Sequence, residues 1–350
     1  MLACAEKKAS AHGAYCAAGA GSGSSLILVE LEAHLPLKGR RPGRILHRQD
    51  LLSNAIEPVP PASAGTKRQL LDMNQMTLSA VFLLIGAAAY LASGIFILRA
   101  LRAPGARAPS GLRLLALAGL VMHFAGVAAE LFLGDLIHFG FGMAASAMLL
   151  IAVGITLVES FVHRVNALTG TVLIVAAAGS VLPVLFPGVT YPTEAWSVLF
   201  RVHLLAALAA YSFMTIAVVQ AIFLMRMDRA LKNPMQALES GSQGGILTNM
   251  PDLMAMERIL FRIVACGFAC LTLVLILGGF ATMQSHGVPF VWDHKTILTW
   301  MSWVVFAVLL IGRYGFGWRK KKALSWFWAG IFVLAAAYLI YRFVIEVFIL

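Results

Sequence analysis

Five histidines are the residues of this 350-residue chain best suited to chemistry. They lie within or beside strongly apolar segments, at His123, His138, His203, His286 and His294. A neutral imidazole can bind a metal or carry a proton, and ionisable groups at membrane depth are uncommon enough to favour a functional role. For His123 and His203 a structural role is the alternative, in which the ring hydrogen-bonds within the helix bundle.

The sequence lacks the motifs of several other kinds of site. The sequence has no HExxH, no Cys/His cluster, no P-loop and no GxGxxG after a strand. This argues against metalloprotease chemistry, nucleotide hydrolysis and dinucleotide redox chemistry. The four cysteines form neither CxxC nor CxxCH, which excludes a thiol redox motif and a covalent haem attachment site.

The elements that must position these histidines are membrane helices. Hydrophobic residues make up 60% of the chain and charged residues 12%, and the mean hydropathy is +0.84. Soluble domains carry about 25% charged residues, so a soluble enzyme and a disordered scaffold are both excluded. The predicted fold class is all-α, a polytopic membrane protein with eight transmembrane helices of about 20 residues, the length that crosses a hydrocarbon core of about 30 Å. The spans are predicted at 77–98, 113–133, 137–158, 168–187, 199–225, 259–283, 296–313 and 325–348.

The first 75 residues differ from the rest of the chain. They are rich in Ala, Gly, Ser and Pro and contain no apolar run near 18 residues. The sequence therefore predicts a disordered or non-native extension over 1–75 and the transmembrane domain over 76–350. We expect the biological start at Met73 or Met76, because an outer amino terminus would otherwise require a long basic tail to cross the membrane without a signal sequence.

Basic residues predict the orientation of the bundle. Fifteen Lys and Arg residues fall in or beside the odd-numbered connections between spans, whereas the even-numbered ones contribute only Arg201 and Lys295. By the positive-inside rule the odd connections are cytoplasmic, so both termini are predicted on the outer face. The net charge of +11 thus indicates topology and not a nucleic-acid partner; the lipid bilayer is the predicted surrounding.

A series of spaced residues resembles the cytochrome c assembly protein family, which includes the CcsA, ResC and CcmC types, and in particular its short, YpjD-like branch. His203 followed by Tyr211-Ser212 resembles a histidine helix of the family, and Trp292-Asp293-His294-Lys295 is similar to part of its tryptophan-rich segment. The run PDLMAMER at 251–258 and the GWR at 317–319 match the branch in order. His123 and His138 fall where longer members place histidines.

The resemblance implies a haem site at the outer face. In the family a tryptophan-rich platform carries haem, histidines supply axial ligands, and the protein presents haem to apocytochrome c. Haem is flat and apolar with two carboxylates, so such a site needs aromatic faces, imidazole and cations. The candidate aromatic faces are Trp292, Trp196 and Phe290. The candidate iron ligand is His203, with His294 as the alternative. The candidate cations are Arg201 and Lys295. Asp293, His123 and His138 complete the predicted cofactor-binding set.

Two functions follow as expectations. The first is an inner-membrane haem-handling protein that exports or presents haem for cytochrome c biogenesis, together with an assembly partner and without an evident catalytic group of its own. The alternative is a non-haem membrane accessory or transport component that keeps the scaffold. A haem absorption band in the purified protein would separate the two.

Overall fold

The computed structural model describes residues 62–102, 109–132, 136–162, 166–192, 197–232, 252–288, 291–318 and 320–344. Within them, eight helices are long and apolar enough to cross a membrane, which confirms the predicted fold class. The spans are Met76–Ala100, Ser110–Leu131, Phe141–Ser160, Ala167–Leu185, Val198–Lys232, Leu253–Gln284, His294–Tyr314 and Lys321–Val344.

The helices that carry these spans extend beyond several of them. They are α1 (Ala62–Ala100), α2 (Ser110–Phe132), α3 (Phe141–Val162), α4 (Asn166–Leu185), α5 (Val198–Lys232), α6 (Leu253–His286), α7 (His294–Tyr314) and α8 (Lys320–Ala335). The last span continues through a π-helical turn, Ala336–Ile340, into a short helix, α9, Tyr341–Val344. α1 begins at Ala62, ahead of the predicted boundary at residue 76, and its apolar part begins at Met76. Residues 1–61, which make up most of the predicted extension, lie outside the described residues.

Helix pairing divides the bundle into two sets of neighbours. α1 packs against α2 and α4, and α3 packs against α4; α5 packs against α6, and α7 against α8. Small residues allow close approach between α3 and α4. A Cβ at Gly142 would lie 2.6 Å from the carbonyl oxygens of Leu182 and Phe186, so only glycine fits there.

A two-stranded sheet lies between these helices. β1 (Leu136–Phe139) pairs antiparallel with β2 (Val189–Pro192), and His138 lies opposite Thr190. Side chains alternate across a strand, so Ile137 and Phe139 are buried on one face while His138 lies on the other. The prediction that His138 belongs to the start of the third span is therefore wrong. The strand satisfies its backbone by pairing with β2, and the helix begins only at Phe141.

Candidate functional site

His203 lies in the second turn of α5, against α6. The ring edge that carries Nδ1 and Cε1 faces Gly278, where an added Cβ would lie 3.2 Å from Cε1. The imidazole also lies near the backbone of Val274, one turn earlier on α6. Nδ1 is buried and lacks a full hydrogen bond within the described part of the chain. Because Nδ1 is enclosed, Nε2 is the nitrogen of His203 that remains to bind a ligand.

Two cavities meet at His203. One, of about 550 Å³, lies between α5, α6 and the start of α7; the other, of about 400 Å³, lies between α5, β1 and the last span. Both volumes fall in the range of about 300–1,000 Å³ that is typical of ligand and cofactor sites. Both cavities are lined by Phe200, His203, Val274, Lys295 and Thr299. The imidazole therefore stands between two spaces large enough for a ligand.

The cavity walls are largely apolar, with aromatic rings on either side of the imidazole. Phe200 stacks near His203 with ring centroids 6.4 Å apart and planes inclined by 29°. Trp300 lines the larger cavity, and Tyr211 and Tyr338 line the smaller one. The Tyr211 hydroxyl donates a 2.8 Å hydrogen bond to the carbonyl of Leu334, which ties α5 to α8. These walls suit a flat apolar ligand.

Two cations border the cavities. Lys295 lines both, and its Nζ lies 5.2 Å from the centroid of the Tyr341 ring. Arg342 lines the smaller cavity, and its Nη2 donates a 3.3 Å hydrogen bond to the carbonyl of Phe139 on β1. The smaller cavity therefore carries positive charge, which suits a ligand with carboxylates, whereas the larger cavity has both Lys295 and Asp293 in its wall.

Asp293 orients the helix that supplies Lys295. It caps the N-terminus of α7, and its carboxylate accepts a 2.8 Å hydrogen bond from the Thr296 backbone N–H. Partial burial acts to raise the pKa of Asp293, but the hydrogen bonds from Thr296 and the charges of Lys295 and His294 outweigh it. The pKa of Asp293 is therefore below its ordinary value. The side chain of Asp293 also lines the larger cavity, so its negative charge faces that cavity.

Several predicted site residues lie away from these cavities. Trp292 is 82% exposed and lines neither, so the structure does not place it as a wall. His294 packs on Tyr341 with ring centroids 4.2 Å apart, and Arg201 is exposed on the first turn of α5. Trp196, Phe290 and the side chain of His286 lie outside the described residues.

The other two predicted histidines lie between α1, α2 and α3. His123 is fully buried; its Nε2 lies 2.8 Å from Ser146 Oγ, and its ring meets the edge of Tyr90. His138 Nδ1 lies 3.3 Å from Glu130 Oε2, and Glu130 also accepts a hydrogen bond from Ser79. Neither histidine lines the cavities at His203. The structure therefore separates these two histidines from the cavities at His203.

Sequence reasoning missed Trp300 and Arg342. Trp300 follows Thr296 by four residues on α7, so helical spacing places both side chains on one face, which the Trp-Asp-His-Lys motif does not reveal. Arg342 stands four residues before Glu346, a spacing that in sequence favours an anchor or a self-neutralising pair; Glu346 lies outside the described residues. The π-helical turn just before Arg342 lines the smaller cavity, and such turns are frequent at functional sites.

Among the described residues, no three His, Cys, Asp or Glu side chains come together to hold a metal ion. The site is thus an imidazole in a cationic, aromatic-walled cavity at one end of an eight-helix membrane bundle. This architecture defines a polytopic membrane protein with histidine-lined cavities at one end of the bundle.

The chain belongs to the cytochrome c assembly protein family, whose sequence model matches residues 111–349. It is 33% identical over 137 residues to the inner membrane protein YpjD of Escherichia coli K12, covering 39% of this chain and 48% of that protein. It is 33% identical over 87 residues to the cytochrome c biogenesis protein CcsA of Trieres chinensis, covering 25% of this chain and 28% of the relative. A CcsA of Picosynechococcus is 32% identical over 84 residues, covering 24% of this chain and 25% of that protein. The chain thus spans about half or less of the length of these curated relatives.

Proposed function

We propose that this protein binds haem at His203 and presents it at the outer membrane face for cytochrome c biogenesis. Family membership supports a role in assembly, and two of the relatives are named for cytochrome c biogenesis. One observation carries the haem assignment. His203 stands between two cavities with a ring nitrogen that no described residue occupies, beside a glycine that leaves room for the ring.

The residues present fit haem. His203 Nε2 would ligate the iron while the opposite edge of the ring packs against Gly278 of α6. Phe200 and Trp300 would face the porphyrin, and Lys295 and Arg342 would neutralise propionates. Bound haem would be the cargo itself, the group that an apocytochrome receives. An assembly partner that holds the apocytochrome is part of the proposal.

The proposed location is the inner membrane, with both termini and the Trp292 loop on the outer face. The eight apolar helices, the printed name of the E. coli relative and the excess of basic residues in the odd connections support it. A single cysteine at Lys321, in a variant without the native cysteines, should resist an impermeant thiol reagent added to intact cells. Labelling at position 321, together with protection of a cysteine at Trp292, would show that the orientation is the inverse of the proposed one.

The haem proposal is tested by the absorption spectrum of purified protein. Wild type should show a Soret band after reconstitution with haem, and His203→Ala should lose most of it because the iron loses its protein ligand. His294→Ala is the matched control, since it removes an exposed histidine of the same membrane face that lines neither cavity. Adding free imidazole to His203→Gly should restore part of the band.

Two results would contradict this assignment. They are the absence of a Soret band in folded wild-type protein and full retention of haem with an unchanged spectrum in His203→Ala. The exposure of Trp292, away from the cavities, favours the accessory-protein interpretation in that event. The scaffold would then serve assembly without holding haem at this site.

A further inference from the structure

A third cavity lies at the opposite end of the bundle from His203. It has a volume of about 260 Å³ and is formed by the end of α5, the start of α6 and the start of α8. Leu224, which lines it, follows His203 by 21 residues on the same helix, or about 32 Å at 1.5 Å per residue. That distance is close to the thickness of the hydrocarbon core, so this distal cavity lies at the other membrane surface.

The distal cavity joins an apolar wall to a cationic rim. Leu224, Phe261 and Leu324 line its deeper part, whereas Arg229, Lys232 and Lys321 lie at the helix ends. α6 begins at Leu253 and α8 begins one residue before Lys321, so two helix N-termini add partial positive charge to the same rim. An apolar groove beneath a positive rim matches the shape of a lipid with an anionic headgroup.

The two acidic residues of the cavity have cationic partners. Lys232 bonds Asp228 one turn earlier on α5, and Arg313 of α7 lies 3.1 Å from Glu257. Arg313 also contacts the Phe261 ring and donates to the Trp318 carbonyl, which holds it in place. Two lining cations, Arg229 and Lys321, remain without an ion-pair partner among the described residues. The rim therefore keeps a positive excess that can receive an anion.

We propose that the distal cavity binds an anionic phospholipid, with its phosphate at Arg229 and Lys321 and its glycerol and upper acyl chain against Leu224, Phe261 and Leu324. Clustered cations at helix ends on one membrane surface are a recurring way of recognising anionic headgroups. The lipid would bridge α5, α6 and α8, of which α5 and α6 are joined by the long connection over residues 233–252. This inference is independent of haem binding.

Native mass spectrometry of the full chain in detergent tests the proposal, with phosphatidylglycerol and phosphatidylcholine as matched probes. Wild type should retain at least one phosphatidylglycerol with about tenfold preference over phosphatidylcholine, equivalent to about 1.4 kcal/mol. The double variant Arg229→Gln/Lys321→Gln should lose that preference. The control Arg226→Gln/Arg258→Gln removes the same charge from exposed positions of α5 and α6 outside the cavity and should keep it.

A second measurement does not depend on the variants. Phosphatidylglycerol should raise the Tm of wild type more than phosphatidylcholine does, because a ligand that binds only the folded state stabilises it. Inorganic phosphate at equal concentration should not displace the lipid. Equal binding of the two lipids, equal losses in the two double variants, or displacement by phosphate would each overturn the proposal; the last would identify a phosphate site.

Discussion

The two halves of the bundle hold histidines in opposite ways. Between α1, α2 and α3, the His123 ring is enclosed, with Ser146 at Nε2 and Tyr90 at its edge. Between α5 and α6, the His203 ring rests on Gly278 and faces two cavities. His123 is fully buried, whereas His203 is half-buried, and only the second leaves space for a ligand. A histidine at membrane depth is therefore assigned by the volume beside its nitrogens and not by its depth alone.

The largest expected effect comes from filling the space beside His203. Gly278→Val should displace the imidazole, because a Cβ there already lies 3.2 Å from Cε1, and it should lower haem affinity by about tenfold or more. Haem titration of purified protein, followed at the Soret band, measures it. Gly154→Val is the matched control, since nothing lies within 4 Å of a Cβ at that position of α3. Equal affinity in both variants would show that this ring is not the ligand.

A smaller effect is expected on stability in the other half. His123→Leu leaves the buried Ser146 hydroxyl without its side-chain partner and should lower the free energy of unfolding by about 1–3 kcal/mol. His123→Leu/Ser146→Ala should recover much of this, because replacing both polar partners removes the orphaned group. Thermal unfolding in detergent measures stability, and the haem bound per folded molecule should stay at the wild-type value. Loss of bound haem in the His123 variants would show that His123, like His203, is needed for haem binding.

The smallest expected effect concerns the cap of α7. Asp293→Ala should lower the free energy of unfolding by about 1 kcal/mol, whereas Asp293→Asn, which keeps a capping oxygen, should be closer to wild type. The folded-state pKa of Asp293 is below its ordinary 3.8, so the stability from its charge is present above 3.8 and is lost as the pH falls through the lower folded value.

Thermal unfolding measured across the acidic pH range checks the direction of this pH dependence. Wild type should lose a small increment of stability below pH 3.8 that Asp293→Asn does not lose. The same acidic dependence in both proteins would mean that other groups, and not the cap, are responsible.

Local patterns were sufficient to predict the helices. Each span is a continuous apolar run, and the free energy of placing such a run in a bilayer depends on its own residues. The eight spans can therefore be predicted without knowing which helices pack beside them. The exception is at His138, where Leu136–Phe139 forms a strand because Val189–Pro192 pairs with it. Pairing between distant segments cannot be predicted from either segment alone.

The candidate site was only partly predictable for the same reason. His203 and Lys295 were identified from residue type and from resemblance, and both line the cavities. Trp292 was expected to face the ligand from its place in the motif, but the side chain projects away from the cavities while Trp300, two turns further along, lines one of them. The motif fixes which residues are near the start of α7, but Trp292 precedes the helix, and the packing of α7 decides that Trp300 faces the cavity.

The amino-acid sequence by itself determined the membrane class, the eight helices and the family, because hydropathy and motif order are properties of contiguous residues. Only the tertiary structure decided which histidine borders a cavity, which aromatic rings form its walls, and that Arg342 and Lys295 approach the same space from different helices. Helix packing brings together residues that are far apart in the chain, and it leaves unfilled volume only where side chains of several helices fail to meet.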